Sequence, residues 1–468
     1  MTGQSFLEPR RTVAAILVML TAMLCLAVLL PATAVASDGL RTTDDPRRVP
    51  LPPRDDSDAP VTVIRGGTLL DGTEGMQPLA DAVVVMRGDT IVSAGAANEV
   101  DVPTTIDYEI DAAGLYIIPG LIDLHVHFTQ QYGDDFTRYT DSDAAAAIRG
   151  VIKTGQLLDA GITAVRDVGT RNDVAKKVKE AVQRRLIDGP RVYWSGPIIA
   201  SRSGHADEIT STATGRPRAD DRSHSVRVAT GPWDWRLAVR EQIRQHVDAI
   251  KITAPFTREE IAAAVDEAHM HGIPVTGDTF GRYTVWAAEA GIDSIEHPLD
   301  MSSDVIRAMA DNGTDFVPTL TAFYNVIEYG YPPAGIPAGG FFYTFSRRFE
   351  LDHEQHLEMV GLAHRSGVRI GVGSDIPFEN EWRYPEDYYT ELGLLRDAGL
   401  TDRDVFESAT RIGAEILKMA DRLGTVETGK LADLLIVAAN PLDDIQHLRE
   451  VRWVIADGRV VRTPDDFR

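Results

Sequence analysis

The 468-residue chain has one cysteine, Cys25. No disulfide and no thiolate-built metal site can be assembled from it. Positive charge is scarce: 47 Lys and Arg face 70 Asp and Glu, a formal net charge of −23. A nucleic-acid partner needs clustered basic residues, so none is expected. The acidic residues are spread along the chain rather than gathered in a tail, which reads as solubility. No sequence repeat is visible. The one long apolar run covers residues 13–30, after Arg10 and Arg11 and before Pro31 and Ala34-Val35-Ala36. A positive start, an apolar stretch and a small-x-small site together describe a secretory signal peptide over residues 1–36. That places the protein outside the cytoplasm, secreted or periplasmic, with no stable membrane span after cleavage. The run is nearly long enough to cross a bilayer, so an uncleaved N-terminal membrane anchor is the alternative.

What is present is ample apolar material, 44% of residues, enough for a sizeable core. Residues 37–59 are polar and proline-rich and read as a flexible leader. From Val61 onward, short β-branched runs alternate with Gly, Asp and Asn, which is strand-and-turn punctuation. The same texture returns near the C-terminus in ADLLIVAAN and VRWVIADGRVV. The two pieces, 60–118 and 421–468, suggest one small β-sandwich assembled from both chain ends. Between them, residues 119–420 alternate short apolar strands with amphipathic helices. Strands are expected at 121–126, 162–168, 191–194, 249–253, 274–277, 294–295, 316–318 and 369–373. Helices are expected at 173–186, 258–271, 304–312 and 402–419. Eight strands, each followed by a helix, make the α/β count of a (β/α)8 TIM-like barrel.

Chemistry in such a barrel sits at the C-terminal ends of the strands. The first strand ends in His125-Val126-His127, and residues two apart on a strand face the same side. Both imidazoles therefore look into the barrel mouth and could grip a divalent metal. Alone, that pair is equally readable as two surface histidines. The fourth strand carries Lys251 among β-branched residues, where a lysine is costly unless paired or modified. The sixth ends in Glu296-His297-Pro298 and the eighth in Ser374-Asp375. Four strands thus deliver His, Lys, His and Asp to their tips.

These stretches, GLYIIPGLIDLHVHF, AIKIT, GIDSIEHP, GVGSD and RLGTVETGKLADLLIV, resemble the amidohydrolase superfamily, in its imidazolonepropionase-like and prolidase-like branch. The likeness covers roughly residues 60–465. It implies a barrel with a β-sandwich from both termini, a match to the texture. It implies that His125 and His127 hold a first metal with Asp375. It further implies that Lys251 is carboxylated and bridges two metals, and that His297 holds the second. The cofactor implied is one or two divalent ions, zinc first, with manganese or another metal as alternatives.

The pattern breaks at the fifth strand, where the branch usually has histidine and this chain has Asp278. Aspartate is still a competent ligand. Three outcomes stay open: Asp278 binds the second metal, that metal is absent or labile, or the site is degenerate. Phe256 stands where relatives often have a substrate-binding tyrosine. His205, in a loop resembling the family's glycine-histidine loop, and Arg202 are candidate substrate contacts. The alternative for His205 is a surface loop histidine. Residues 324–348, rich in Tyr, Phe, Pro and Gly, read equally as a lid or as a surface excursion. His269 and His271 read as helix C-terminal residues at the barrel bottom, and the remaining histidines as structural or solvent-facing. The expected reaction is metal-assisted hydrolysis of a C–N bond in a small molecule or short peptide, with Asp375 as proton shuttle. The alternatives are a lactone, ester or cyclic-amide hydrolase using the same residues, and a binding protein that has lost catalysis. A homo-oligomer is compatible with all of these.

Overall fold

The computed structural model describes residues 58–130, 142–202, 204, 225–298, 301–329, 353–375 and 385–467. The expected signal peptide and leader, His205 and most of the 324–348 insert lie outside the described residues. Among those described, no helix is long and apolar enough to cross a membrane.

The chain opens with β1 (Val61–Leu69), β2 (Leu79–Arg87), β3 (Thr90–Ala96), β4 (Tyr108–Asp111) and β5 (Tyr116–Pro119). It closes with β15 (Leu434–Val437), β16 (Val451–Ala456) and β17 (Arg459–Arg462). These eight strands share one sheet, in the order β17-β16-β15-β5-β1-β2-β3 with β4 beside β1. The antiparallel ladder of β5 with β15, Ile118 opposite Leu435, stitches the two chain ends together. Alternation along the strands covers both faces. Ile64, Val84 and Met86 join one apolar cluster, and Val63, Val83 and Val85 join another. The ladders run through one continuous sheet, because β1 pairs with β2, β4 and β5 at once along its nine residues.

Between these ends strands and helices alternate. In chain order they are β6 (Leu121–Val126), α1 (Asp143–Asp159), β7 (Ile162–Asp167), α2 (Val174–Gln183), β8 (Arg191–Trp194), β9 (Ile198–Ser201) and β10 (Val226–Ala229). Then come α3 (Gly231–Ile243), β11 (Ile250–Thr253), α4 (Arg258–Met270), β12 (Val275–Asp278), α5 (Arg282–Glu289), β13 (Ser294–Glu296), α6 (Ser303–Asn312) and β14 (Asp315–Val317). Last are α7 (Leu320–Tyr329), α8 (His353–Arg365), α9 (Glu386–Asp397), α10 (Asp402–Ala409) and α11 (Arg411–Ile416). All the ladders are parallel: β6-β7-β8 in one sheet, β10-β9-β11-β12-β13-β14 in the other. Apolar β-branched runs buried on both faces are what such sheets require. The helices start where capping chemistry allows. Thr257 and Glu260 form a capping box on α4, and Thr401 and Asp404 form one on α10.

Two expectations need correction. The eighth strand forms no ladder of its own beyond a single bridge from Ile370 to Phe316. Its bonding is split between neighbours. Gly371 N donates to Phe316 O at 2.8 Å on one side, while Leu124 N donates to Val372 O at 2.9 Å and Asp375 N to His125 O at 2.8 Å on the other. The described strands therefore make two parallel sheets joined by isolated hydrogen bonds rather than one unbroken ring. The helix expected over 402–419 is two helices, broken at Thr410 with φ −129° and ψ −93°. There Thr410 Oγ1 donates back to Phe406 O at 2.7 Å, a bond that competes with the helical one.

The β-rich sheet is latched to the rest by charge. Arg191, at the start of β8, donates to both oxygens of Asp433 at 2.5 and 3.1 Å, and Arg185 donates to Asp457 at 2.8 Å.

Candidate metal centre

Strand pairing lines up the chemistry. Lys251 on β11 is level with Thr276 on β12, which is level with Ser294 on β13. One step up, Thr253, Asp278 and Glu296 share a level. Paired residues of parallel strands point to the same face, so these form polar layers inside the sheet rather than the apolar filling usual in such barrels. Three strand ends then break alternation with left-handed backbone: His297 at φ 33°, Thr319 at φ 46° and Asp375 at φ 54°. Non-glycine residues rarely adopt such values, and clusters of them mark functional sites. The effect is concrete. Glu296 and His297 are consecutive, yet both reach the same centre.

Asp375 lies at the middle. Its Oδ1 is 3.2 Å from His125 Nε2 and 3.4 Å from His127 Nε2, and its Oδ2 is 3.8 Å from His297 Nδ1. His297 Nε2 is 3.3 Å from Asp278 Oδ2. His125, His297 and Asp375 each offer an atom within 4.8 Å of the others. The proton positions follow from what the far sides of the rings touch. His125 Nδ1 donates to Glu296 Oε2 at 2.6 Å, and His127 Nδ1 donates to Gly169 O at 3.0 Å. Both partners only accept, so the neutral rings turn bare Nε2 lone pairs toward a carboxylate oxygen. His125 Nε2 is buried and has no hydrogen-bond partner. Lone pairs and an anionic oxygen facing one another need a cation between them. A nitrogen and oxygen donor set of this kind suits a divalent metal.

The electrostatics agree. Burial and the nearby Lys251 oppose a charged His125, but Asp375 and Glu296 outweigh them and raise its pKa. Burial lowers the pKa of His127. Burial likewise lowers that of Lys251, against the pull of Glu296, Asp278 and Asp375. Burial would raise Asp375, yet the three histidines hold its carboxyl well below the usual range. Glu296 is also held low, burial notwithstanding, by Arg166 and His125.

Of the residues singled out from sequence, His125, His127, His297, Asp375 and Asp278 come together here; Lys251, expected at a strand tip, is instead the second residue of β11, buried and facing the charges of Glu296, Asp278 and Asp375. Arg202 is exposed in the turn after β9. Phe256 is buried, edge-on to Trp235 at 6.0 Å and Tyr283 at 5.6 Å. His269 pairs with Asp293 at 2.8 Å, below β12 as its helix-end position suggested. Residues the sequence reading passed over are Arg166, Glu296, Thr319 and His356. Thr319 Oγ1 lies 3.0 Å from His297 Nδ1. His356, read as structural or solvent-facing, meets Phe323 edge-on with 5.5 Å between centroids, Phe323 in turn meets His297 at 5.6 Å, and His356 Nε2 is buried without a partner. A signal existed for two of them. Arg166 and Glu296 are charges inside apolar strands, the same anomaly that drew attention to Lys251.

Residues 116–461 match the amidohydrolase family. The chain belongs to it. This amidohydrolase is 27% identical over 446 residues to an ochratoxinase of Aspergillus niger, covering 87% of each chain. It is 25% identical over 416 residues to an imidazolonepropionase of Hyphomonas neptunium, covering 80% of this chain and 92% of that one. Among solved structures it is similar to a Xaa-Pro dipeptidase with methionine in its active site, with a TM-score of 0.76 and 29% identity, over 86% of this chain and 100% of that one. These neighbours give the amidohydrolase a TIM-barrel-like fold with an additional domain. It is a hydrolase acting on C–N bonds of small molecules, and it takes a divalent metal.

Proposed function

We propose that this amidohydrolase cleaves the amide of an N-acyl amino acid or a short peptide at a metal centre built on Asp375. The observation that carries the reading is the buried, unpartnered His125 Nε2 facing Asp375 Oδ1 at 3.2 Å. His125, His127 and Asp375 would hold one ion. His297 and Asp278 would hold a second, and their 3.3 Å separation supports aspartate in the role the family gives to histidine. Zinc is the first candidate for both. Lys251, kept toward its neutral amine by burial, is suited to adding carbon dioxide and becoming an anionic bridge. A divalent ion so held supplies Lewis acidity, making water acidic and polarising the amide carbonyl. Asp375 accepts the proton as water adds to the carbonyl, then returns it to the nitrogen as the C–N bond breaks. The products are a carboxylic acid and an amine. The turn carrying Arg202 approaches Pro255 just beyond Lys251, since a methyl at Gly204 would stand 3.0 Å from Pro255 Cδ. That supports Arg202, with His205 of the same loop, as contacts for an acidic substrate end.

The hydrogen bonds on either side of residues 369–375, together with the one from Asp248 N to Trp194 O, support reading the two parallel sheets as one (β/α)8 barrel. Its bounds would be 119–420, with the β domain formed by 60–118 and 421–468. Residues 1–36 are proposed as a signal peptide exporting the enzyme, which N-terminal sequencing of the mature protein tests. The functional reading is tested by metal quantification with a screen of Xaa-Pro and other dipeptides and N-acyl amino acids, and by Asp375→Asn. That variant is expected to keep nearly all its metal and lose turnover. Wild-type activity in it removes Asp375 as the shuttle.

A further inference from the structure

Below the metal-facing side chains lies a second, fully buried layer of charge. Glu296 accepts at Oε1 from Arg166 Nη2 at 2.7 Å, from Ser294 Oγ at 3.3 Å, and from Thr276 Oγ1. Those three donors occupy one oxygen and leave the other, Oε2, for His125 Nδ1 at 2.6 Å. Arg166 fixes more than the carboxylate. Its Nε donates to Leu124 O at 2.7 Å, the carbonyl just before His125, and its Nη1 donates to Ser294 Oγ at 3.1 Å. One guanidinium therefore ties the backbone that carries His125 to the strand that carries Glu296.

We infer that Glu296, locked by Arg166, is a positioning residue that sets the tautomer and aim of His125 for the metal. The inference rests on the reading of His125 as a metal ligand. Burying a glutamate and an arginine costs several kcal/mol per ion unless the remaining lone pairs and protons are satisfied. An apolar filling would serve packing alone at least as well. What apolar residues cannot do is accept a hydrogen bond from Nδ1–H, which keeps the proton there and leaves Nε2 bare. A carboxylate behind a ligating imidazole does this and makes the ring a stronger donor; loss of such partners typically weakens metal binding about 10–100-fold. The rigid fork of Arg166 suits the task, because its planar donors fix the carboxylate's rotation as well as its place.

The test is Glu296→Gln in the full chain, with zinc affinity measured by competition against a chromophoric chelator. A glutamine there is frustrated. If its oxygen accepts from His125, its amide group faces Arg166 donor to donor. Zinc affinity is expected to fall about 10–100-fold, with kcat at saturating zinc falling further than KM rises. Unchanged affinity in a folded variant overturns the inference and leaves a merely structural ion pair. His125→Ala separates the two readings. Loss of zinc there with full affinity in Glu296→Gln sinks only the positioning role, while full zinc content in His125→Ala sinks the metal reading itself. Should Glu296→Gln not fold, ¹⁵N-histidine spectra of the zinc-loaded wild type decide. A strongly downfield Nδ1 proton on His125, the mark of a short bond to a carboxylate, supports the inference, and an Nδ1 proton at an ordinary shift overturns it.

Discussion

Gly373→Ala is a small change with a calculable consequence. An alanine methyl at 373 would stand 2.4 Å from Val317 Cγ1 and 2.8 Å from His125 Cβ. Ordinary carbon contacts are about 3.5–4.0 Å. His125 would have to retreat by roughly 0.7 Å or more, or the strand bearing Asp375 would have to move away. Neither gives easily, since Asp375 N donates to His125 O and Leu124 N to Val372 O. Overpacking of this kind costs about 1–3 kcal/mol of stability. The greater effect is on chemistry, because metal–ligand distances tolerate only about 0.2 Å. We expect zinc affinity to fall at least about tenfold, alongside a lower urea midpoint at unchanged slope. Gly155→Ala in α1 is the control, with only Arg462 Nη2 at 3.5 Å from the added methyl. It should be neutral or stabilising by up to about 1 kcal/mol. If Gly373→Ala binds zinc like the wild type, the close approach of strand eight to His125 is not what aligns the site.

Three further outcomes follow from other parts of the molecule. Arg191→Ala leaves Asp433 buried without its two Arg191 bonds and should cost about 3 kcal/mol, read by urea unfolding; a loss under about 0.5 kcal/mol would mean the latch contributes nothing. Burial pushes Glu391 up to about 8 while it accepts the backbone N–H groups of Leu320 and Thr321. Its folded pKa lies above the unfolded value, so the folded state holds the extra proton. Its contribution to stability is full below about pH 4.5 and declines as pH rises toward 8, by up to about 1.4 kcal/mol per pH unit; Glu391→Gln should flatten that slope, and identical pH profiles refute the assignment. Stripping metal with a chelator should lower the melting temperature, and zinc at about 100 times its Kd should restore about 2.7 kcal/mol; an indifferent melting curve would speak against a built metal centre.

Much of the middle of the chain was legible because its elements are local. The expected strands at 121–126 and 191–194 coincide with β6 and β8, and most others differ by a residue or two. A buried strand announces itself as a short β-branched run between turn residues, and a lysine or a paired histidine within one is conspicuous. The break at Thr410 was not legible, because the periodic pattern runs through it and the side-chain bond back to Phe406 O is one that any helical threonine could make. Nor was the split pairing of residues 369–375, since a run of Gly-Val-Gly says nothing about which neighbours will approach it. Asp278 could be flagged as a departure from the family pattern, but its contact with His297 depends on the register of β12 against β13.

By itself, the order of residues determined which groups could do chemistry. Histidines two apart, a lysine among β-branched neighbours and an aspartate after Gly-Val-Gly-Ser are properties of the string. Tertiary structure alone decided that they share a centre, which way each ring turns its lone pair, and that Arg166 and Glu296 stand behind His125. The reason is distance along the chain. Glu296 and His125 are 171 positions apart, and Ser374, whose N and Oγ donate to the two oxygens of Asp123 at 3.1 and 2.5 Å, is 251 from it. Their meeting is set by sheet register and by left-handed backbone at strand ends, and no local pattern of residues encodes either.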